Sequence, residues 1–144
     1  MFQRILLAWD GSAVALRAFD VAIDLSRRYD VELVALSIAY SPAHAETDGD
    51  RIESADAARR YLAQTFGEVR DRAERAGVAV EHQIVDGDEP HTVLLDYCHE
   101  HGFDLIVAGH HREGRAGRLL LQGIATKLVG SATVPVLVVA ERER

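Results

Sequence analysis

RILLAWDGSAVALRAFDVAIDL, Arg4 to Leu25, holds the two signals from which the fold is read. The run from Arg4 to Trp9 is short and apolar, as a buried strand should be. Asp10-Gly11-Ser12 breaks it. Ala13, Leu16, Ala18, Val21, Ala22 and Leu25 then recur at helical spacing, which predicts a helix up to Tyr29.

The same alternation repeats along the chain. Val31 to Tyr40 reads as a second strand, followed by a polar loop with Pro and Gly, SPAHAETDGD. Ile52 to Ala76 reads as a long amphipathic helix that Gly77 ends. Val78 to Val85 is a third strand. Asp86 to Pro90 turns into a helix, with Pro90 in its first turn, that runs to about His101 and stops at Gly102. Phe103 to Ala108 is a fourth strand. A glycine-rich loop, a helix ending near Gly130 and a fifth strand, Val134 to Ala140, complete the series. Strands alternating with helices predict a parallel sheet covered on both faces.

Length and composition limit what such a domain does. At 144 residues the chain is read as a single domain over 1–144, large enough for a real core. Its net charge of −7 argues against general binding to the phosphate backbone of nucleic acid. No apolar run approaches the ~20 residues that span a bilayer, so no membrane role is expected. The first residues read as a strand, not an export signal. The single cysteine, Cys98, rules out an internal disulfide framework and fits a reducing cytoplasm.

Asp10-Gly11-Ser12 after the first strand, DGDEPHTVLLDYCHEHGFDLIVAGHH, and the closing VPVLVV together resemble the universal stress protein family, and the resemblance covers the whole chain. It implies an α/β fold of the Rossmann-like, adenine nucleotide alpha-hydrolase-like type, with a five-stranded parallel sheet in the order 3-2-1-4-5. In that order strands 1 and 4 are neighbours whose connections leave on opposite sides. A crevice therefore opens at their carboxyl ends, the place where ligands of such sheets bind. The residues expected around it are Ala8, Trp9, Asp10, Ile38, Ala108, Gly109, His111, Arg112, Gln122, Gly123, Ile124 and Ala125.

The loop after the fourth strand, Gly109 to Lys127, carries four glycines, two adjacent histidines and Arg112, Arg115 and Arg118. In nucleotide-binding members of the family it reads Gly, two residues, Gly, nine residues, then Gly followed by Ser or Thr. The glycines admit backbone amides to phosphate, and the hydroxyl and helix N-terminus add donors. The corresponding positions here are Gly109, Arg112, Gln122 and Gly123, of which the first alone matches. Arg112 places a side chain where backbone should approach phosphate, though a guanidinium can itself hold phosphate in a bidentate way. Gln122 restricts the backbone, and Gly123 lacks the hydroxyl. Gly130-Ser131 imitates the end of the motif but belongs at a helix C-cap.

Other chemistry is weakly supported. Cys98, His99, His101, His110 and His111 lack a paired metal-ligand spacing, so no metal is expected. Asp10 reads either as a helix cap or as a ligand contact. Trp9 either closes an adenine pocket or fills its space. No catalytic residue is assigned. The favoured reading is a small cytoplasmic regulatory stress protein, not an enzyme, whose nucleotide loop is degenerate. It would act as a homodimer, paired through Val134 to Ala140, and through an unidentified regulatory protein partner. The alternative is a sensor of ATP or another adenine nucleotide, with slow hydrolysis at most. Weak or absent nucleotide binding is favoured.

Overall fold

The computed structural model describes residues 2–40, 48–110 and 123–142. In chain order the elements are β1 (Arg4–Ala8), α1 (Ala13–Tyr29), β2 (Glu32–Tyr40), α2 (Asp48–Arg75), β3 (Val80–Gly87), α3 (Pro90–Glu100), β4 (Leu105–His110), α4 (Ile124–Ser131) and β5 (Val136–Ala140). The five strands form one sheet in the order β3-β2-β1-β4-β5, and every neighbouring pair is parallel.

Because side chains alternate across a strand, each strand feeds two cores. Ile5, Leu7, Leu33, Ala35, Leu105 and Val107 join residues of α1 and α2, including Phe19 and Phe66. Leu6, Ala8, Val34, Leu36, Ile106 and Ala108 join Leu94 and Cys98 of α3 and Ile124 and Leu128 of α4. Helices therefore cover both faces, and the central strands are apolar on both sides.

Several boundaries differ from those expected. β3 begins and ends two residues later, at Val80 and Gly87, and β4 reaches His110, so Gly109 is a strand residue. Pairing decides this: Gly109 lies opposite Val139 and His110 opposite Ala140. α2 starts at Asp48, inside the segment expected to be a loop. Gly130 and Ser131 are the last residues of α4, and Ala132 is its C-cap with φ −70°, so the expected glycine C-cap is corrected. The buried stripe of α1 is Val14, Ala15, Ala18, Phe19, Ala22, Ile23 and Ser26. Ala13 is exposed, and Leu16, Val21 and Leu25 are only partly buried. Gly77 and Gly102 adopt the positive φ that ends α2 and α3 as expected, whereas Asp30 does so for α1.

Among the described residues no helix is long and apolar enough to cross a membrane.

Candidate functional site at the carboxyl ends of β1 and β4

β1 and β4 pair directly, Ile5 with Leu105 through Leu7 with Val107. β2 lies on the other side of β1 and β5 on the other side of β4. The crevice expected between strands 1 and 4 thus has its scaffold.

The turn after β1 is built around Asp10. Its Oδ1 accepts a hydrogen bond from the Ser12 amide at 2.9 Å, which closes an Asx-type turn. Ser12 is the N-cap of α1: its Oγ accepts from the Ala15 amide at 3.1 Å. The cap expected of Asp10 therefore falls to Ser12. Asp10 is only 4 % exposed, and its Oδ2 is buried without a hydrogen-bond partner among the described residues. An unpaired buried acceptor is costly, so such an atom is a candidate for meeting a ligand.

Trp9 does not line this crevice. It continues the side of β1 that carries Ile5 and Leu7 and lies in the core under α1 and α2. Its ring packs against Phe19 and Phe66 at centroid distances of 5.8 and 5.9 Å. Three further bonds hold it. Its amide donates to Leu36 O at 2.9 Å, its indole Nε1 donates to Thr65 Oγ1 at 3.2 Å, and its carbonyl accepts from Ser37 Oγ at 2.8 Å. Neither role expected for Trp9, closing an adenine pocket or filling one, agrees with that position.

Ala8, Ile38, Ala108 and Ile124 come together in the opposite core, each almost fully buried. Ala125 is also buried, in the first turn of α4. Gly123 is the exposed N-cap of α4, with φ +76° and no side-chain cap. Gly109 packs against α1: a Cβ there would lie 2.9 Å from Val14 O. His111, Arg112 and Gln122 lie outside the described residues, as do Arg115 and Arg118.

At the end of β4, His110 lines a cavity of about 280 Å³ with Ala125, Thr126, Val129 and Val138. Its Nδ1 is buried without a hydrogen-bond partner among the described residues. Cys98 belongs to the same core as Ala8, Ile38, Ala108 and Ile124. Its buried thiol donates to Phe103 O at 3.4 Å, and burial, with the charge of Asp104 second, pushes its pKa up. Among the described residues no three His, Cys, Asp or Glu side chains are grouped to hold a metal.

Three polar residues near the turn were not singled out from the sequence. Ser37 was legible as a hydroxyl inside an apolar strand. His82 and Thr65 gave no comparable signal. His82 stacks on Phe66 at 4.2 Å, and its Nε2 lies 2.8 Å from Ser37 Oγ. Since Ser37 gives its one proton to the Trp9 carbonyl, Nε2 must be the donor to Ser37, which assigns the tautomer. Burial, reinforced by Arg70, lowers the His82 pKa to about 4.

The comparisons with known proteins agree with this architecture. A universal stress protein of Methanocaldococcus jannaschii is 25% identical over 146 residues, which cover 100% of this chain and 85% of that protein. A crystal structure of a universal stress protein family member from Burkholderia pseudomallei superposes with a TM-score of 0.76 at 25% identity, covering 96% of each chain. The Archaeoglobus fulgidus universal stress protein, solved in complex with dAMP, has a TM-score of 0.66 at 23% identity, covering 96% of this chain and 98% of its own. The model of the universal stress protein family matches residues 1–140, and the chain belongs to that family.

Proposed function

We propose that this protein is a regulatory stress protein that works through self-association and contacts with other proteins, with no chemistry of its own. The observation that carries this reading is the state of the phosphate loop. Gly109 alone keeps the family pattern, and the packing of β4 against Val14 already requires a glycine there. Its presence is thus no sign of a phosphate site. Arg112 and Gln122 occupy the other glycine positions, and Gly123 replaces the hydroxyl residue.

Self-association is assigned to β5. This strand is an edge of the sheet, Leu137 on it is 38 % exposed, and Val129 of the adjacent α4 is 62 % exposed. An apolar edge with free backbone groups invites pairing with another chain. A two-fold dimer with β5 antiparallel to its copy satisfies both the backbone and the apolar side chains. A cytoplasmic location agrees with the single buried cysteine. Chromatography of the denatured protein is the test: it should release less than one adenine nucleotide per ten chains, and stoichiometric nucleotide would refute the reading.

A second reading, an adenine-nucleotide sensor, is favoured by one atom. Asp10 Oδ2, in the turn after β1, is a buried acceptor with no hydrogen-bond partner among the described residues. An adenine amino group or a ribose hydroxyl would satisfy it. The dAMP complex of the Archaeoglobus fulgidus protein is consistent with this chemistry. Titration calorimetry with AMP and with ATP and magnesium separates the readings. A dissociation constant below roughly 100 μM, about −5.5 kcal/mol, would favour the sensor.

A further inference from the structure

We propose that Thr65, in the middle of α2, is a positioning residue for Asp10, gripping the β1–α1 turn on both sides of that carboxylate. The proposal rests on the second reading above, in which Asp10 Oδ2 receives a ligand.

Trp9 and Gly11 flank Asp10 in sequence, and both meet Thr65. On one side the Trp9 indole donates to Thr65 Oγ1 at 3.2 Å. On the other, Gly11 has φ +83°, and a Cβ there would lie 3.0 Å from Thr65 Oγ1 and 3.1 Å from its Cγ2. The turn therefore lies directly on the Thr65 side chain, and no other residue fits at position 11 without strain. The hydroxyl donates its own proton to Leu62 O at 3.1 Å and accepts from the indole N–H, which can only donate.

The arrangement has a consequence for the ligand site. Asp10 keeps one oxygen on the Ser12 amide and holds the other buried, with no partner among the described residues. A carboxylate in that state would relax toward solvent unless its backbone were held. Within the turn, the Ser12 bond orients the side chain but does not anchor the turn to the rest of the protein. Anchoring comes from α2 through Thr65 and from β2 through the Ser37 bond to the Trp9 carbonyl and the Trp9 amide bond to Leu36 O. Of these three residues, Thr65 alone is seen to touch both neighbours of Asp10.

The test compares Thr65→Val, which keeps the shape and removes the hydroxyl, with Thr65→Ser, which keeps the hydroxyl. The first readout needs no ligand. Amide hydrogen exchange at Ser12 should be about five- to tenfold faster in Thr65→Val and near wild type in Thr65→Ser. Leu6 and Val107 amides, in the sheet centre, should stay as protected as in the wild type, which separates loosening of the turn from general loss of stability. The second readout is AMP titration followed by calorimetry. Thr65→Val should weaken AMP binding about tenfold, and Thr65→Ser should restore it. Unchanged Ser12 exchange in Thr65→Val would overturn the proposal, as would equal AMP affinity in Thr65→Val and wild type. No AMP response in the wild type up to millimolar concentration would overturn the sensor reading, and the exchange comparison would then decide the role of Thr65.

Discussion

A Cβ at Gly109 would lie 2.9 Å from the carbonyl oxygen of Val14 and 3.0 Å from its carbonyl carbon. The obstacle is helix backbone, not the end of a side chain, so it cannot swing aside. β4 and the first turn of α1 approach this closely because position 109 has no side chain. Gly109→Ala should therefore destabilise the fold by about 1–3 kcal/mol, as overpacking does. Urea denaturation measures it. An unchanged midpoint would mean that the contact relaxes freely, and Gly109 would again be open to a phosphate explanation.

His82 should make stability depend on pH. Burial first and Arg70 second lower its folded pKa to about 4, against about 6.5 in an unfolded chain. Above pH 6.5 the ring is neutral in both states, and the full stability is present. As pH falls from 6.5 toward 4, the unfolded chain takes up a proton that the folded protein refuses, so stability declines; below 4 the loss is complete. The ring is only partly buried, so solvent screening reduces the effect to roughly 1 kcal/mol. His82→Gln keeps a donor for Ser37 and removes the titration. Between pH 7 and pH 4.5 the wild type should lose about 1 kcal/mol relative to that variant. Parallel pH profiles for the two proteins would contradict the assignment.

The order of elements was legible because Gly, Pro and Asp punctuate apolar runs of strand length, as at Asp10-Gly11-Ser12 and Gly102. The strand order came with the family resemblance, since periodicity says nothing about which strands neighbour. Strand ends were displaced because pairing sets them: Gly109 and His110 are in β4 through their partners Val139 and Ala140. Trp9 was misplaced although the signal existed. Counting by twos from Ile5 and Leu7 puts it on the face with Phe19 and Phe66. Thr65 could not be found this way, because its contact with the turn depends on how α2 is rotated over the sheet. The close approach of Gly109 to Val14 is likewise a tertiary fact, invisible in a loop that already contains four glycines.

The β5 edge gives a prediction about assembly. Leu137 is the large apolar side chain exposed on that strand. Leu137→Lys places a charge in the proposed dimer seam while leaving the core, to which Val139 contributes, intact. Light scattering at micromolar concentration should report a dimer for the wild type. The variant should dissociate at least about tenfold more readily. A wild-type monomer would refute dimerisation, and an unaffected dimer in the variant would locate the interface elsewhere.

The final prediction concerns restoration of the phosphate loop. By family pattern alone, Arg112→Gly, Gln122→Gly and Gly123→Ser together should recover nucleotide binding. The backbone at Gly123 alters that expectation. Its φ of +76° is left-handed, whereas a serine N-cap works from extended backbone, where its oxygen reaches the amides of the first turn. A serine held at +76° is strained by about 1 kcal/mol and cannot cap in that conformation. The double variant Arg112→Gly, Gln122→Gly should therefore bind ATP with magnesium about tenfold more tightly than the wild type, by admitting backbone amides to phosphate. Adding Gly123→Ser should lower stability by about 1 kcal/mol without a further gain in affinity. Calorimetric titration of the three proteins, with denaturant midpoints for each, decides the matter. A triple variant that binds tenfold more tightly than the double would mean that the start of α4 rearranges around a ligand. The missing hydroxyl at position 123, and not the two side chains before it, would then be what keeps nucleotide out.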